Sequence, residues 1–516
     1  MSTITILGLG PGDVNQLTLE AWRLLEQSKL LYVRTLRHPM IDDLPKTLQC
    51  VSFDHLYETA NNFGEIYLQI AHELIEKAKA SEAVLYAVPG HPLVAEASTR
   101  HLLKQAADQG ISCRVVDGLS FIEPTCTALH IDPLEHGLQL LDALDLIPTE
   151  YEGDEQTWAD LHDADPYMAT LQPYPLIATR AALLCQVYSS RVAADVKLSL
   201  MERYPADHPI TIVRGAGIPG AETIWTVPLF ELDRQTGFDH LTCAYVPALE
   251  PLEDRRSVDG LSYVFNRLLG PGGCPWDHKQ THESLRGALL EETHEVLEAI
   301  DAGDFDNLSE ELGDLLANII SHSEMGRQAG LFDFADVCEG AASKLIRRHP
   351  HVFGDASAGD SGVVVANWEA IKQQERAEQG KAERGTLDGI PMGLPALAYG
   401  QELSRKAAKQ GFEWAELAQV WAKCEEELQE LQAVMQGGDA DRAQRLEEEL
   451  GDLLFALGSL ARWLDLDAET ALRSANAKFR RRFHVVEQMA KAEDKSLKDY
   501  PLKDLLILWQ SAKQAG

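Results

Sequence analysis

The chain changes texture once along its length. Up to about residue 250, short apolar and β-branched runs (Thr3–Leu7, Val84–Val88, Ile210–Val213, Thr242–Val246) alternate with stretches of helical periodicity, and glycine or proline marks the strand ends. That alternation predicts an α/β region. Beyond Ser257 the β-branched runs stop, and long patterns rich in Leu, Ala and Glu follow, interrupted at Gly270–Asp277, Gly354–Gly362 and Gly385–Gly393. The second half is therefore predicted to be all-α. Val246–Arg256 (VPALEPLEDRR), with two prolines and mixed charge, is the expected linker, which places the boundary near 250.

The helical half repeats itself. Glu291–Asp314 (EETHEVLEAIDAGDFDNLSEELGD) and Glu426–Asp452 (EELQELQAVMQGGDADRAQRLEEELGD) both read EExxE, a Gly/Asp turn, then ELGDLL. The expected organisation is an α/β domain over 1–250, a first helical repeat over 251–360, a linker over 361–390 and a second repeat over 391–516. A chain of 516 residues exceeds one ordinary core in any case.

Charge narrows the partners. Lys+Arg 46 against Asp+Glu 81 leaves −35, so polymeric nucleic acid and anionic membranes are expected to repel the chain. No run approaches the roughly 20 apolar residues of a membrane span, and MSTITILGLGPGD lacks the basic start of a signal peptide. A soluble, cytoplasmic protein is expected. The eight cysteines form no CxxC pair and read as reduced thiols.

The repeat carries candidate chemistry. Residues three apart share a helix face, so Glu292 projects with Glu295, and Glu311 with Asp314. The first pair shares its stripe with Ala288, Val296 and Ala299, the second with Leu315 and Asn318, so both are expected to point toward the bundle core. Glu427, Glu430, Glu449 and Asp452 repeat the geometry. Four facing carboxylates repel strongly, so either several are protonated or a cation is present, and all-oxygen ligation selects Mg²⁺ or Mn²⁺. Mg²⁺ is commonly shared with substrate phosphates, which also need cations. A later helix in each repeat offers them: Lys344, Arg347 and Arg348 in the first, Lys478, Arg480, Arg481 and Arg482 in the second.

The run GGCPWDHKQTHESL, the two EExxE…ExxD copies, KLIRRHPHVF and ANAKFRRRF resemble the MazG family of nucleoside triphosphate pyrophosphohydrolases in its two-repeat form, over about residues 257–490. The resemblance implies an all-α fold that hydrolyses an NTP to NMP and pyrophosphate with Mg²⁺. Glu292, Glu295, Glu311, Asp314, Glu427, Glu430, Glu449 and Asp452 are then the metal-binding and catalytic residues. Lys344, Arg347, Asn476, Lys478 and Arg481 are the corresponding substrate-side residues, and the richer group around Asn476 and Lys478 favours the second copy as the active one. Gly270–Asp277 reads either as a substrate loop or, through Trp276, as a packing anchor.

In the first half, the opening strand ends in Gly8-Leu9-Gly10-Pro11-Gly12-Asp13. It is not a dinucleotide fingerprint, because Asp13 stands at the sixth position and Pro11 lacks an N–H. Two further loops, Pro89-Gly90-His91-Pro92 and Asp117-Gly118-Leu119-Ser120-Phe121, also follow strands, where open α/β sheets bind small ligands. Together, ILGLGPGDVNQLTLEAWRLL, YAVPGHPLVAE, VVDGLSFIE and QVYSSRVAADVKLSLMERYP resemble the tetrapyrrole (corrin/porphyrin) methylase family over about residues 1–245. The order of the two halves resembles that of YabN-like fusion proteins. The methylase resemblance implies two α/β lobes and S-adenosylmethionine as methyl donor, held by Pro11, Pro89, Gly90, His91, Val94, Ser120 and Phe121. The methyl acceptor is unknown.

Where many members carry Gly-Asp-Pro, this chain has Gly90-His91-Pro92. That departure keeps a second reading open, in which the domain binds S-adenosylmethionine or a nucleotide without turnover and regulates the hydrolase. Tandem acidic bundles make a homodimer the expected assembly.

Overall fold

The computed structural model describes residues 3–58, 63–80, 83–146, 174–354, 364, 368, 371, 372, 375, 385–437 and 441–515. Most of the expected linker over 361–390 lies outside them. The chain divides into two compact units, Met1–Thr281 and His282–Gly516.

The first unit opens with a parallel sheet of β1 (Thr3–Gly8), β2 (Leu30–Val33), β3 (Gln49–Ser52), β4 (Ala83–Val88) and β5 (Ser112–Val116), in the order β3-β2-β4-β1-β5. Alternation sends Ile4, Ile6, Val84, Tyr86 and Val88 to one face. There they meet the apolar stripe Ile66, Ile70, Leu74 and Ala78 of α2 (Phe63–Ala80), and Leu102 and Ala106 of α3 (Ala97–Asp108). Leu7, Leu31, Val33 and Ala87 face the other way, onto Ala21 and Leu25 of α1 (Leu19–Gln27). Burying each of these large aliphatic side chains contributes about 1.5–3 kcal/mol. The helix α4 (Ile122–Leu129) follows β5.

The second lobe holds a mixed sheet of β6 (Leu138–Asp142), β7 (Ala181–Cys185), β8 (Pro209–Arg214), β9 (Thr223–Pro228) and β10 (Thr242–Val246), ordered β6-β7-β10-β8-β9. Only β6 and β7 pair in parallel. Helix α5 (Ser190–Met201) buries Val192, Ala193, Val196 and Leu200 against this sheet. Helix α6 (Val258–Leu269) belongs to the first unit too, so the compact division falls beyond the sequence boundary near 250. Its attachment is local: Asp254 packs against Gly260, and the Arg256 guanidinium donates to the Met201 carbonyl at 2.8 Å.

All the regular structure described in the second unit is helical. It runs α7 (Arg286–Ala302), α8 (Phe305–Gln328), α9 (Phe334–Arg348), α10 (Pro350–Phe353), α11 (Ala396–Ala408), α12 (Leu417–Gln436), α13 (Arg442–Trp463), α14 (Ala468–Ala492) and α15 (Leu502–Ala515). Gly303, left-handed at φ +66°, ends α7, and Asp304 caps α8 by accepting from the Asn307 N–H. The tight turn folds these two helices against each other. No described helix is long and apolar enough to cross a membrane.

Candidate functional site

The order β4-β1-β5 places three strands side by side, so the loops leaving their C-terminal ends converge. Gly10 and Gly90 exchange backbone hydrogen bonds: the Gly10 N–H donates to the Gly90 carbonyl at 3.2 Å, and the Gly90 N–H returns to Gly10 at 2.9 Å. A Cβ on Gly8 would stand 2.4 Å from the Gly90 oxygen, and one on Gly118 would stand 2.6 Å from it. Glycine is required at both positions by this approach of backbone to backbone. Pro11, Pro89, Gly90, His91, Val94, Ser120 and Phe121 therefore all lie on three loops that meet.

Local bonding orders these loops. His91 Nδ1 accepts from the Leu93 N–H, and the His91 carbonyl accepts from the Val94 N–H. His91 Nε2 faces Asp117 Oδ1 at 3.5 Å. Asp117, on the neighbouring loop, is thus the carboxylate facing His91. Ser120 donates its hydroxyl to Glu123 at 2.6 Å and accepts from the Ile122 N–H, while Phe121 packs at the start of α4. Asp13 accepts from the Asn15 N–H, closing the turn after β1.

Sequence reading missed a buried polar group beside these loops. Arg34, just after β2, pairs with Glu96 at 2.8 Å, and Glu96 also accepts from the Ser98 hydroxyl at 2.6 Å. His38 is hydrogen-bonded to Gly10 and held neutral, its pKa pulled down to about 4 by burial and by the Arg34 guanidinium. His38 Nδ1 and Arg34 Nε are buried without partners. Two arginines and a histidine after a short strand, RTLRHP, were the available signal.

In the second unit, Glu292, Glu295 and Glu311 bring carboxylate oxygens within 4.8 Å of one another, and Glu427, Glu430 and Glu449 do the same. Asp314 and Asp452 stand outside these triplets yet act on them. Glu292 is pushed above the ordinary carboxylate range by desolvation, then by Asp314 and Glu295; Glu311 is pushed up by desolvation, then by Glu295 and Asp314. Desolvation, Glu430, Glu427 and Asp452 raise Glu449.

The carboxylates do not point into a sealed core. Val296 and Ala299 are buried, but Glu295, Asp314, Glu430 and Asp452 are exposed, Glu292, Glu311 and Glu449 are half-buried, and Glu427 alone of the eight is buried. They sit at the edge of the apolar stripe, where a half-turn offset decides between core and solvent.

The basic candidates divide differently from the sequence assignment by repeat. Lys344 is exposed on α9. Arg347 and Arg348 both hold Glu375, at 2.7 and 2.6 Å, and the Arg348 and Arg347 hydrogen bonds draw its carboxyl down to about 2. Asn476, Lys478 and Arg481 are exposed on α14, where Arg480 and Arg481 border a groove of about 590 Å³ with Phe479, Phe483 and His484. From this second-repeat helix, Arg480 reaches Glu298 at 2.7 Å and Arg473 reaches Asp301 at 3.1 Å, both on α7 of the first repeat. Glu298 is one turn beyond Glu295. Lys423, also unassigned from sequence, pairs with Glu426 and Glu427 at 2.8 and 2.7 Å. Trp276 is 64% exposed and anchors no core among the described residues.

Comparison with known proteins agrees with this division. Residues 3–233 match the Tetrapyrrole (Corrin/Porphyrin) Methylases family, and residues 280–353 and 417–486 match the MazG nucleotide pyrophosphohydrolase domain. The uncharacterized protein YabN of Bacillus subtilis is 40% identical over 99% of this chain and 98% of its own length. The helical half is similar to the nucleoside triphosphate pyrophosphohydrolase of Escherichia coli strain K12, 45% identical over 50% of this chain and 97% of that protein. It is also similar to the nucleoside triphosphate pyrophosphohydrolase/pyrophosphatase MazG of Thermotoga maritima, 40% identical over 48% of this chain and 93% of that one. With an α/β methylase fold in front and a duplicated acidic helix pair behind, the chain is an enzyme that belongs to the family of YabN-like fusions between a tetrapyrrole methylase domain and two MazG domains.

Proposed function

We propose that the helical half hydrolyses nucleoside triphosphates to NMP and pyrophosphate with Mg²⁺ or Mn²⁺, and that the α/β half transfers a methyl group from S-adenosylmethionine to an unidentified acceptor. The two carboxylate triplets, each gathered within 4.8 Å, carry the hydrolase reading. Their chemistry fits a hard divalent cation: the donors are all carboxylate oxygens, three of the groups are raised by desolvation and by their carboxylate neighbours, and buried Glu427 has an oxygen with no partner. Glu292, Glu295 and Glu311, joined by Asp314, would hold it in the first copy, and Glu427, Glu430 and Glu449, joined by Asp452, in the second.

A cation bound there supplies charge neutralisation to a triphosphate and acidifies a coordinated water. The protein's own part is to bind and orient. Arg481 and Lys478 offer exposed cations to phosphate oxygens, and Phe479 and Phe483 offer ring faces to a base. Lys344 is the exposed cation left to the first copy's own later helix, because Arg347 and Arg348 are engaged by Glu375. In the α/β half, Gly8 and Gly118 are filled by the backbone of Gly90, while Gly90 itself, where a Cβ would meet nothing nearer than the Leu119 oxygen at 4.0 Å, leaves backbone open to a cofactor that Pro11, Pro89, His91, Val94, Ser120 and Phe121 would line. Pairing into a homodimer is supported by apolar side chains exposed on the acidic helices, Leu290, Leu297, Leu450 and Leu454 among them. Reduced thiols, with all eight cysteines unpaired, support a cytoplasmic setting.

Incubation of the full chain with canonical and damaged NTPs plus Mg²⁺, with products identified by mass spectrometry, tests the hydrolase. Pyrophosphate is expected, and activity should vanish in excess EDTA. Asp452→Asn should remove most of the activity if the second copy works, and Asp314→Asn if the first does. Orthophosphate as sole product, or full activity in both variants, would refute the reading. Calorimetric titration with S-adenosylhomocysteine tests the cofactor site: no binding at millimolar ligand would remove the methylase, and binding without turnover on any acceptor would leave the regulatory reading.

A further inference from the structure

The two clusters share a motif but differ in one neighbour. One turn before Glu427, Lys423 places its ammonium 2.7 Å from Glu427 Oε1 and 2.8 Å from Glu426. Superposing the EExxE motifs puts Ala288 at the corresponding position of the first copy. A methyl group there brings no charge. Glu427 is 5% exposed, and with Oε1 taken by Lys423 its Oε2 is buried without any hydrogen-bond partner. An orphaned carboxylate oxygen is costly, so a second, positively charged partner is called for beside Glu430 and Glu449.

We propose that Lys423 is the resting counter-ion of the second cluster and competes there with the divalent cation, so that the two copies load differently. The first copy takes free Mg²⁺ or Mn²⁺. The second admits the cation chiefly together with the nucleotide, whose phosphates give the displaced ammonium a new partner. This rests on the cation-binding reading of the clusters.

Two effects of Lys423 oppose each other. A positive neighbour on a ligand carboxylate repels an incoming divalent ion across a few ångströms, well inside the Debye length of about 8–10 Å, so salt does not cancel the repulsion. The same hydrogen bond could instead hold Glu427 in a ligating orientation, which favours metal. Burial already restrains Glu427, so the hydrogen bond adds little orientation, whereas the Lys423 ammonium, held by both Glu426 and Glu427, keeps its charge 2.7 Å from the ligand oxygen. Repulsion is therefore the larger effect.

The experiment titrates Mn²⁺ into metal-stripped full-length protein without nucleotide and follows the loss of the free-ion electron paramagnetic resonance signal. In a Glu292→Gln/Glu295→Gln background, which dismantles the first triplet and isolates the second cluster, Lys423→Met should tighten Mn²⁺ binding by about tenfold or more, and Lys423→Arg should restore the weak binding. In a Glu430→Gln/Glu449→Gln background, which dismantles the second triplet, Ala288→Lys should weaken the first cluster by a similar factor, which keeps the test open if Lys423→Met folds poorly. Unchanged or weakened binding in Lys423→Met, with Ala288→Lys also without effect, would overturn the proposal while leaving the cation reading intact. Failure of the parent and of every variant to bind Mn²⁺ would overturn the cation reading, and the proposal with it.

Discussion

Gly8→Ala is the sharpest probe of the loop cradle. Gly8 ends β1, and the added Cβ would lie 2.4 Å from the Gly90 carbonyl oxygen, 2.9 Å from Gly118 Cα and 2.9 Å from Pro92 Cδ. The oxygen contact is short of van der Waals separation by about 1 Å, and backbone cannot rotate away as a flexible side chain does. Relief requires displacing Gly90, whose carbonyl and N–H are both bonded to Gly10 at 3.2 and 2.9 Å. Losing those two bonds costs about 1 kcal/mol each, and overpacking adds about 1–3 kcal/mol. The sum is roughly 3–5 kcal/mol, read by calorimetry as a lower melting transition of the first unit. Because the displaced loops are those assigned to S-adenosylmethionine, affinity for S-adenosylhomocysteine should fall at least tenfold while pyrophosphate release from NTPs is unchanged. Gly110→Ala is the control: its φ is +68°, but a Cβ there meets nothing within 4 Å, so only backbone strain of about 1 kcal/mol and no loss of binding is expected. Wild-type affinity in Gly8→Ala would refute the assignment of these loops to the cofactor.

The raised carboxyls of Glu292, Glu311 and Glu449 give a pH dependence. A carboxyl whose folded pKa exceeds its unfolded value contributes stability at low pH that is lost as pH rises through the folded value, so metal-free protein should weaken at these sites as pH rises above the ordinary carboxylate range. Calorimetry in EDTA should show Glu311→Gln flattening that decline and Mg²⁺ abolishing it in the wild type; parallel declines would refute the clustering. Glu96→Gln leaves the Arg34 charge without its counter-ion, Glu96 being 2% and Arg34 22% exposed in their side chains, so the first unit should lose about 3 kcal/mol. A calorimetric change below about 1 kcal/mol would show that Ser98 and the surroundings, not the ion pair, hold this group.

Much of the fold was legible because periodicity is local. The runs at Thr3, Val84, Ile210 and Thr242 are strands, the sequence beyond Ser257 is helical, and the three-residue spacing of Glu292 with Glu295 does place both on one face. Helix geometry fixes such neighbours whatever the rest of the chain does. Lys423 belongs with them, four residues before Glu427, although its weight depends on the burial of Glu427, which spacing does not encode.

The tertiary structure decided the partners that come from far along the chain. Sheet order, not loop sequence, brings Gly8, Gly90 and Gly118 into contact and sets Asp117 against His91. Helix packing carries Arg473 and Arg480 of the second repeat to Asp301 and Glu298 of the first, and commits Arg347 and Arg348 to Glu375. It also leaves most of the acidic residues at the edge of their apolar stripes instead of inside them. A sequence specifies which face a side chain occupies through the short-range geometry of its own backbone; what that face meets depends on closing loops tens to hundreds of residues long, and many distant groups have the charge to serve as partner.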